Sequence, residues 1–253
     1  MGIKKIIKKS FNKLGFNISR VNKGIDNASF DELLKNKIKE KPVIFDVGGN
    51  QGQSIEKFQK IFTNPIIHSF EPIKSEFNIM FNKFNGNKNI FLNNVALGEK
   101  ITEKEFHVTP NSANSSFNKI NFKSEWFKNK KTYSDDKNYG ITSQKVKINT
   151  IDNYCNEHNI QTIDFLKIDT QGYEDMVLKG SYNKLKNNDI KAISAEIMFD
   201  NVYEKYFSFS DIEKYLLPNN FRMVGLDLVS NNLFSNLVFF ADVYYFNKKH
   251  YNV

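Results

Sequence analysis

Apolar and polar positions along this chain switch repeatedly between two periods. Short β-prone apolar runs recur at "PVIFDV" (42–47), "IIHSF" (66–70), "IFLNNVA" (90–96), "IDFLKID" (163–169) and "KAISAEI" (191–197). Between them, "SIEKFQKIF", "KSEFNIMFNKF", "EDMVLKGSYNKL" and "DIEKYLL" space their apolar residues three and four apart, the helical period. Strands alternating with helices predict a mostly parallel sheet with helices on both faces. The end of the chain differs. "FRMVGLDLV" (221–229) and "LVFFADVYYF" (237–246) flank a polar turn and predict a C-terminal antiparallel hairpin.

The alternation breaks between residues 99 and 150. "ITEKEFHVT" and "VKINT" read as short extra strands. Between them lies a polar stretch with scattered aromatics and the single tryptophan, Trp126. A long irregular segment in a compact domain is either a functional lid or a disordered loop. Residues 109–145 are therefore the expected variable, acceptor-facing segment of a domain spanning 41–253.

Residues 1–40 form a separate, basic amphipathic segment in this reading. Ile3, Ile6, Ile7, Phe11 and Leu14 recur at helical spacing, with Lys4, Lys5, Lys8, Lys9 and Lys13 on the other side. Such a helix either docks its apolar stripe on its own domain or lies on an anionic membrane surface through residues 3–14.

Composition narrows the classes. The chain has 253 residues, enough for one large α/β domain, and its 24 Phe and 11 Tyr supply a substantial core. Cys155 is the only cysteine, so no internal disulfide forms and a reducing, cytoplasmic compartment is expected. No apolar run reaches the length of a membrane span, and the start of the chain lacks the apolar core of a signal peptide. Peripheral contact with the inner face of a membrane is the alternative location. The formal charge is +8, but the lysines are spread along the chain and many sit in Asn/Lys-rich turns, so nucleic acid is not the expected partner.

Candidate chemistry begins at "VIFDVGGNQGQS" (43–54), a strand running into glycines. A dinucleotide fingerprint needs glycine at the first, third and sixth positions. Counted from Gly48, those positions hold Gly48, Asn50 and Gln53, so the register fails. Asp46, two residues before the first glycine, would repel a pyrophosphate and suits a ligand with positive charge. Glu71 in "HSFEP" ends the second strand, where an acid accepts hydrogen bonds from ribose hydroxyls. A loop hostile to pyrophosphate together with a ribose acid points to S-adenosylmethionine (SAM). Asp46, Gly48, Asn50, Gly52 and Glu71 are the expected cofactor-binding residues, with Gly48 and Gly52 allowing close backbone approach. Asn94 and Ala96, at the end of the third strand, are expected to border the adenine.

The landmarks "FDVGGNQGQS", "FEP", "NVALG", "INTIDNY", "LKIDTQGYEDMVLKG" and "ADVYYF" occur in the order seen in the FkbM-type methyltransferases, which the chain resembles over about residues 41–247. The resemblance implies a Rossmann-like class I methyltransferase fold and SAM-dependent O-methylation, in a family many of whose members serve polysaccharide or natural-product biosynthesis. Two positions depart from the family pattern. Gly49 stands where the family has alanine, and Gln171 where it commonly has an acid.

Methyl transfer requires an acceptor oxygen aligned behind the methyl group and a group to take the acceptor's proton. Asp169 ends the fourth main strand, at the carboxyl edge where such sheets bind ligands. Glu196 ends the fifth strand beside it, and Glu174 opens the helix after Asp169. These three are the catalytic candidates. Asp169 and Glu196 can also hold a hard divalent ion, Mg²⁺ or Mn²⁺, or each can simply cap the following helix. His107 is an alternative base, whereas His68, Cys155 and His158 read as packing residues. The expected acceptor is a hydroxyl of a glycan, sugar nucleotide or related precursor. A small natural product, a nucleic acid or a non-catalytic SAM-binding module are the alternatives. "DTQGY" lacks the Asn/Asp-Pro-Pro-aromatic run of adenine N-methylation, and that place has no cysteine for cytosine C5 chemistry.

Overall fold

The computed structural model describes residues 30–130, 140–229 and 238–251. The amphipathic stretch at 3–14 lies outside the described residues, as do 131–139 of the variable segment and the turn at 230–237.

The chain enters through α1 (Phe30–Lys37) and then alternates β1 (Val43–Val47), α2 (Gln53–Ile61), β2 (Ile66–Phe70), α3 (Lys74–Phe84) and β3 (Ile90–Asn93). A second layer of small elements follows: β4 (Ala96–Leu97), β5 (Thr102–Val108), α4 (Glu125–Lys130) and β6 (Thr142–Asn149). The main sheet resumes after α5 (Ile151–Glu157) with β7 (Phe165–Ile168), α6 (Glu174–Lys179), α7 (Tyr182–Lys186) and β8 (Ala192–Met198). It closes with α8 (Phe209–Leu216), β9 (Phe221–Val229) and β10 (Phe240–Asn247).

Among the described residues the main sheet has seven strands in the order β3-β2-β1-β7-β8-β10-β9. β3, β2, β1, β7 and β8 pair in parallel. The hairpin is antiparallel as expected, and its second strand inserts between β8 and β9. Central strands are apolar on both faces because helices cover both. Phe45, Phe70, Leu166, Val243 and Tyr245 face α5, α6 and α8, whose Tyr154, Val177, Leu178, Ile212 and Leu216 close that side. Ile44, Ile67, Phe165, Tyr244 and Phe246 face α1, α2 and α3 on the other.

Two expected elements are divided. The run 90–96 is not one strand: β3 pairs with β2, whereas β4 pairs with β6 in a separate β4-β6-β5 sheet. Asn94 makes the break, its amide donating to the carbonyls of Glu71 (2.8 Å) and Pro72 (3.2 Å). The helix expected over 174–185 stops at Gly180, where an added Cβ would collide with the carbonyl oxygen of Gly98. That close crossing of the two chain segments demands glycine at the helix end.

Candidate active site

The carboxyl ends of β1, β2 and β7 open on a cavity of about 250 Å³. Its walls include Gly48, Asn50, Glu71, Ala96, Lys167, Asp169, Gln171 and Tyr173. Strand β1 ends in a loop that sequence and sterics shape together. Gly48 has φ 84° and packs so closely that a Cβ would overlap the Asp169 carbonyl. Asn50 is left-handed at φ 46°, a region that asparagine tolerates better than most residues. Gly52, at φ 89°, precedes α2 and has room only for hydrogen against the ring of Phe84. Gly52 therefore serves the turn and its packing, and it does not line the cavity.

Glu71 fastens this loop. Its Oε2 accepts the Asn50 backbone N–H at 2.8 Å, and its Oε1 accepts that of Ile73 at 2.7 Å. Burial raises the carboxyl to about 7, against the pull of those two backbone donors. Each oxygen keeps a further lone pair, so the group can accept hydroxyls from the cavity while holding the loop. Ala96 lines the same wall. Asn94 does not: its amide is spent on the chain after β2, so it buttresses the Glu71 turn from outside the cavity.

Asp46 is fully buried and also lies outside the cavity wall. Ser69 Oγ donates to its Oδ2 at 2.8 Å, and Lys167 Nζ approaches its Oδ1 at 3.3 Å. Lys167 also reaches Asp169 Oδ2 at 3.4 Å and the Gly48 carbonyl at 3.4 Å. The neighbouring carboxylates, Asp46 first, hold this ammonium well above the usual lysine range despite its burial. Reading the sequence alone missed Lys167. The signal was a lysine inside "FLKI", on the face shared with Asp169 two residues on and in register with Asp46 on β1.

Asp169 is the exposed acid of the group, its side chain 41% accessible. The Gln171 amide joins it to Glu196. Nε2 of Gln171 lies 3.0 Å from Asp169 Oδ1 and 2.7 Å from Glu196 Oε2. Oε1 of the same amide sits 3.0 Å from the Tyr203 hydroxyl. Gln171 reaches across from a left-handed backbone, φ 57°. Burial, then the charge of Asp169, raises Glu196 well above the usual carboxylate range. Glu196 does not line the cavity, and its Oε2 accepts from the Gln171 amide. It holds Asp169 in place through Gln171.

Glu174 is not in the cavity. It is fully buried, and its Oε1 accepts from the Thr170 N–H (2.9 Å), the Thr170 hydroxyl (3.0 Å) and the Gly172 N–H (3.2 Å). Burial raises it to about 7, and its Oε2 has no hydrogen-bond partner among the described residues. It shapes the loop that presents Asp169 and Gln171. His107, on β5, sits near Ser143 and not at the cavity.

The donor set does not fit a divalent ion. Hard cations require several oxygens converging on one point. Here an amide NH₂ stands between Asp169 and Glu196, and among the described residues no group of three or more His, Cys, Asp or Glu side chains converges. The cavity does fit SAM. An acid with free lone pairs ends β2, the glycine loop offers no phosphate cradle, and carboxylates border the far end.

The described part of the variable segment forms one wall. Ser112, Ala113, Ser115 and Phe117 face the cavity. Asn50 Nδ2 donates to Ser112 Oγ at 3.2 Å, and Ser116 Oγ donates to the Gln171 carbonyl at 2.7 Å. Trp126 packs away from the cavity, with Met198, Val202 and Tyr203. Among the described residues no helix is long and apolar enough to cross a membrane.

Residues 46–223 match the model of the family described as "Methyltransferase FkbM domain". No curated protein matches the chain. A crystal structure of methyltransferase FkbM from Methylobacillus flagellatus KT superposes with a TM-score of 0.52 at 13% identity, over 81% of this chain and 44% of that one. This chain thus spans less than half of that relative's length. Aeropyrum pernix fibrillarin with natively bound SAM shows 15% identity, a TM-score of 0.44, and coverage of 85% and 73%.

Proposed function

The chain belongs to the FkbM methyltransferase domain family, and from that premise we propose that it moves the methyl group of SAM onto a hydroxyl of a glycan, sugar nucleotide or related precursor. The observation that carries the reading is Asp169. It is an accessible carboxylate at the cavity edge, with one oxygen facing Lys167 and the other the Gln171 amide. Bound SAM supplies an activated methyl group for an in-line displacement. Glu71 accepts the ribose hydroxyls, and Ala96 admits the adenine. Asp169 accepts the acceptor's proton as its oxygen attacks. Gln171, itself held by Glu196, fixes one oxygen of that carboxylate, and Lys167 pairs with the other. Ser112 and Ser115 present hydroxyls on the cavity wall to a polar acceptor, which supports a glycan-like substrate over an apolar one. Residues 3–14 would bring the enzyme to the anionic membrane surface where glycan precursors are assembled.

Labelled SAM incubated with sugar nucleotides and extracted surface glycans tests this. Asp169→Asn should lower turnover roughly 10²–10⁴-fold with little change in SAM affinity. A chelator should change nothing. Near-normal turnover in Asp169→Asn would remove the assignment.

A further inference from the structure

A second cavity, of about 140 Å³, adjoins the first along Ser54, Lys167 and Asp169. It lies on the face of the sheet covered by α1 and α2. Leu34, Phe58 and Phe165 make its apolar wall, and Lys57, Ser194 and Asp242 its polar one. None of these three polar residues is used by the chemistry above.

Asp242 is the unusual member. It sits on β10, in register with Glu196 on β8, whose neighbour Ala195 pairs with Ile168 just before Asp169, so the three acids lie on adjacent strands. It is half-buried, and among the described residues none donates it a hydrogen bond or closes an ion pair with it. Burial and then the charge of Asp169 push its carboxyl up to about 6, against the weaker pull of Lys167 and Lys57. Lys167 is already committed to Asp46, Asp169 and the Gly48 carbonyl. Lys57 pairs with Asp31 at 2.9 Å, and both of those side chains are about half exposed, so its ammonium can take a second partner.

We infer that this second cavity receives the amino-acid end of SAM, with Asp242 taking the α-ammonium and Lys57 facing the α-carboxylate. The inference rests on SAM being the cofactor. A zwitterion needs one group of each sign beside an apolar wall for its methylenes, and the cavity provides all three. It also lies on the correct side. Adenine and ribose are assigned to Ala96 and Glu71, so the tail must leave past Asp169, which is where the two cavities meet.

Two ligands that differ only in that tail separate the outcomes. S-adenosylhomocysteine carries the amino-acid end, and 5′-methylthioadenosine lacks it. Calorimetry on the full chain should show Asp242→Asn binding S-adenosylhomocysteine about tenfold or more weakly, the loss expected for a charge-assisted contact. Its affinity for 5′-methylthioadenosine should stay within about twofold. Lys57→Gln, on the surface of α2, should show the same asymmetry, and Asp242→Glu should recover part of the loss. Thermal melting of each variant confirms the fold. Equal losses for both ligands, or none for either, would overturn the tail site while leaving SAM as the cofactor. A wild-type chain that binds neither ligand would overturn the cofactor reading itself.

Discussion

Lys167 Nζ stands 3.3 Å from Oδ1 of the fully buried Asp46, joining the two central strands of the sheet directly beneath the cavity. Among the described residues Asp46 has one other polar partner, the Ser69 hydroxyl. Breaking a buried pair from one side leaves the other charge stranded, which costs roughly 3–5 kcal/mol. Lys167→Met should destabilise the protein by about that much in urea denaturation. Asp46→Asn with Lys167→Met should recover much of the loss, because the stranded charge is gone.

The departure at Gly49 has a partner at Ser69. A Cβ on Gly49 would collide with Ser69 Oγ, which is fixed by its bond to Asp46. Gly49→Ala should therefore destabilise by roughly 1–3 kcal/mol through overpacking. Adding Ser69→Ala should offset part of that, giving a coupling energy of about 1 kcal/mol in a double-mutant cycle. Additive losses would show that the collision is relieved elsewhere.

Glu174 holds the loop at 169–172 through three donors on one oxygen. Glu174→Ala leaves the Thr170 and Gly172 N–H groups without that acceptor and should cost about 2–4 kcal/mol. Glu174→Gln keeps an oxygen in the same place and should cost distinctly less. SAM affinity should follow the loop and be lost with alanine more than with glutamine. A residue that touched the reacting atoms would instead lose turnover in both variants at unchanged stability.

Several acids have their ionisation raised by burial: Glu71 and Glu174 to about 7, Asp242 to about 6, and Glu196 well above the ordinary carboxylate range. Between the ordinary carboxylate range and those values the folded state binds more protons than the unfolded one. Stability from these groups is full at low pH and is lost as pH rises through 6–7. His68 acts in the opposite sense, since burial lowers it to about 4 and its contribution is lost as pH falls below about 6.5. Above that point the acids act unopposed. The melting temperature should therefore fall between pH 6.5 and 8, and Glu174→Gln should fall less steeply. A melting temperature that rises over that interval would contradict these ionisations.

The sheet was legible in the chain because its strands are short apolar runs between strong helical patterns. What stayed hidden depended on contacts between distant segments. The break at Asn94 follows from its bonds to the carbonyls of residues 71 and 72, and the stop at Gly180 from the crossing of Gly98. The candidate site divides in the same way. Glu71 and Asp169 are strand-end acids, and position alone marks them. The hub role of Gln171 needs Asp169, Glu196 and Tyr203 gathered around one amide. Glycines 48, 49 and 52 resemble a ligand cradle in sequence, yet each meets protein atoms in the fold.

The most direct test is calorimetric titration of SAM, S-adenosylhomocysteine and NAD into the wild-type chain and Glu71→Ala, with melting temperatures recorded because Glu71 also anchors two backbone amides. SAM and S-adenosylhomocysteine should bind the wild type and NAD should not. Glu71→Ala should weaken both adenosyl ligands by about 1–3 kcal/mol as the ribose contacts are lost. Binding of NAD, or unchanged affinity for the adenosyl ligands in a folded Glu71→Ala, would contradict the assignment of this cavity.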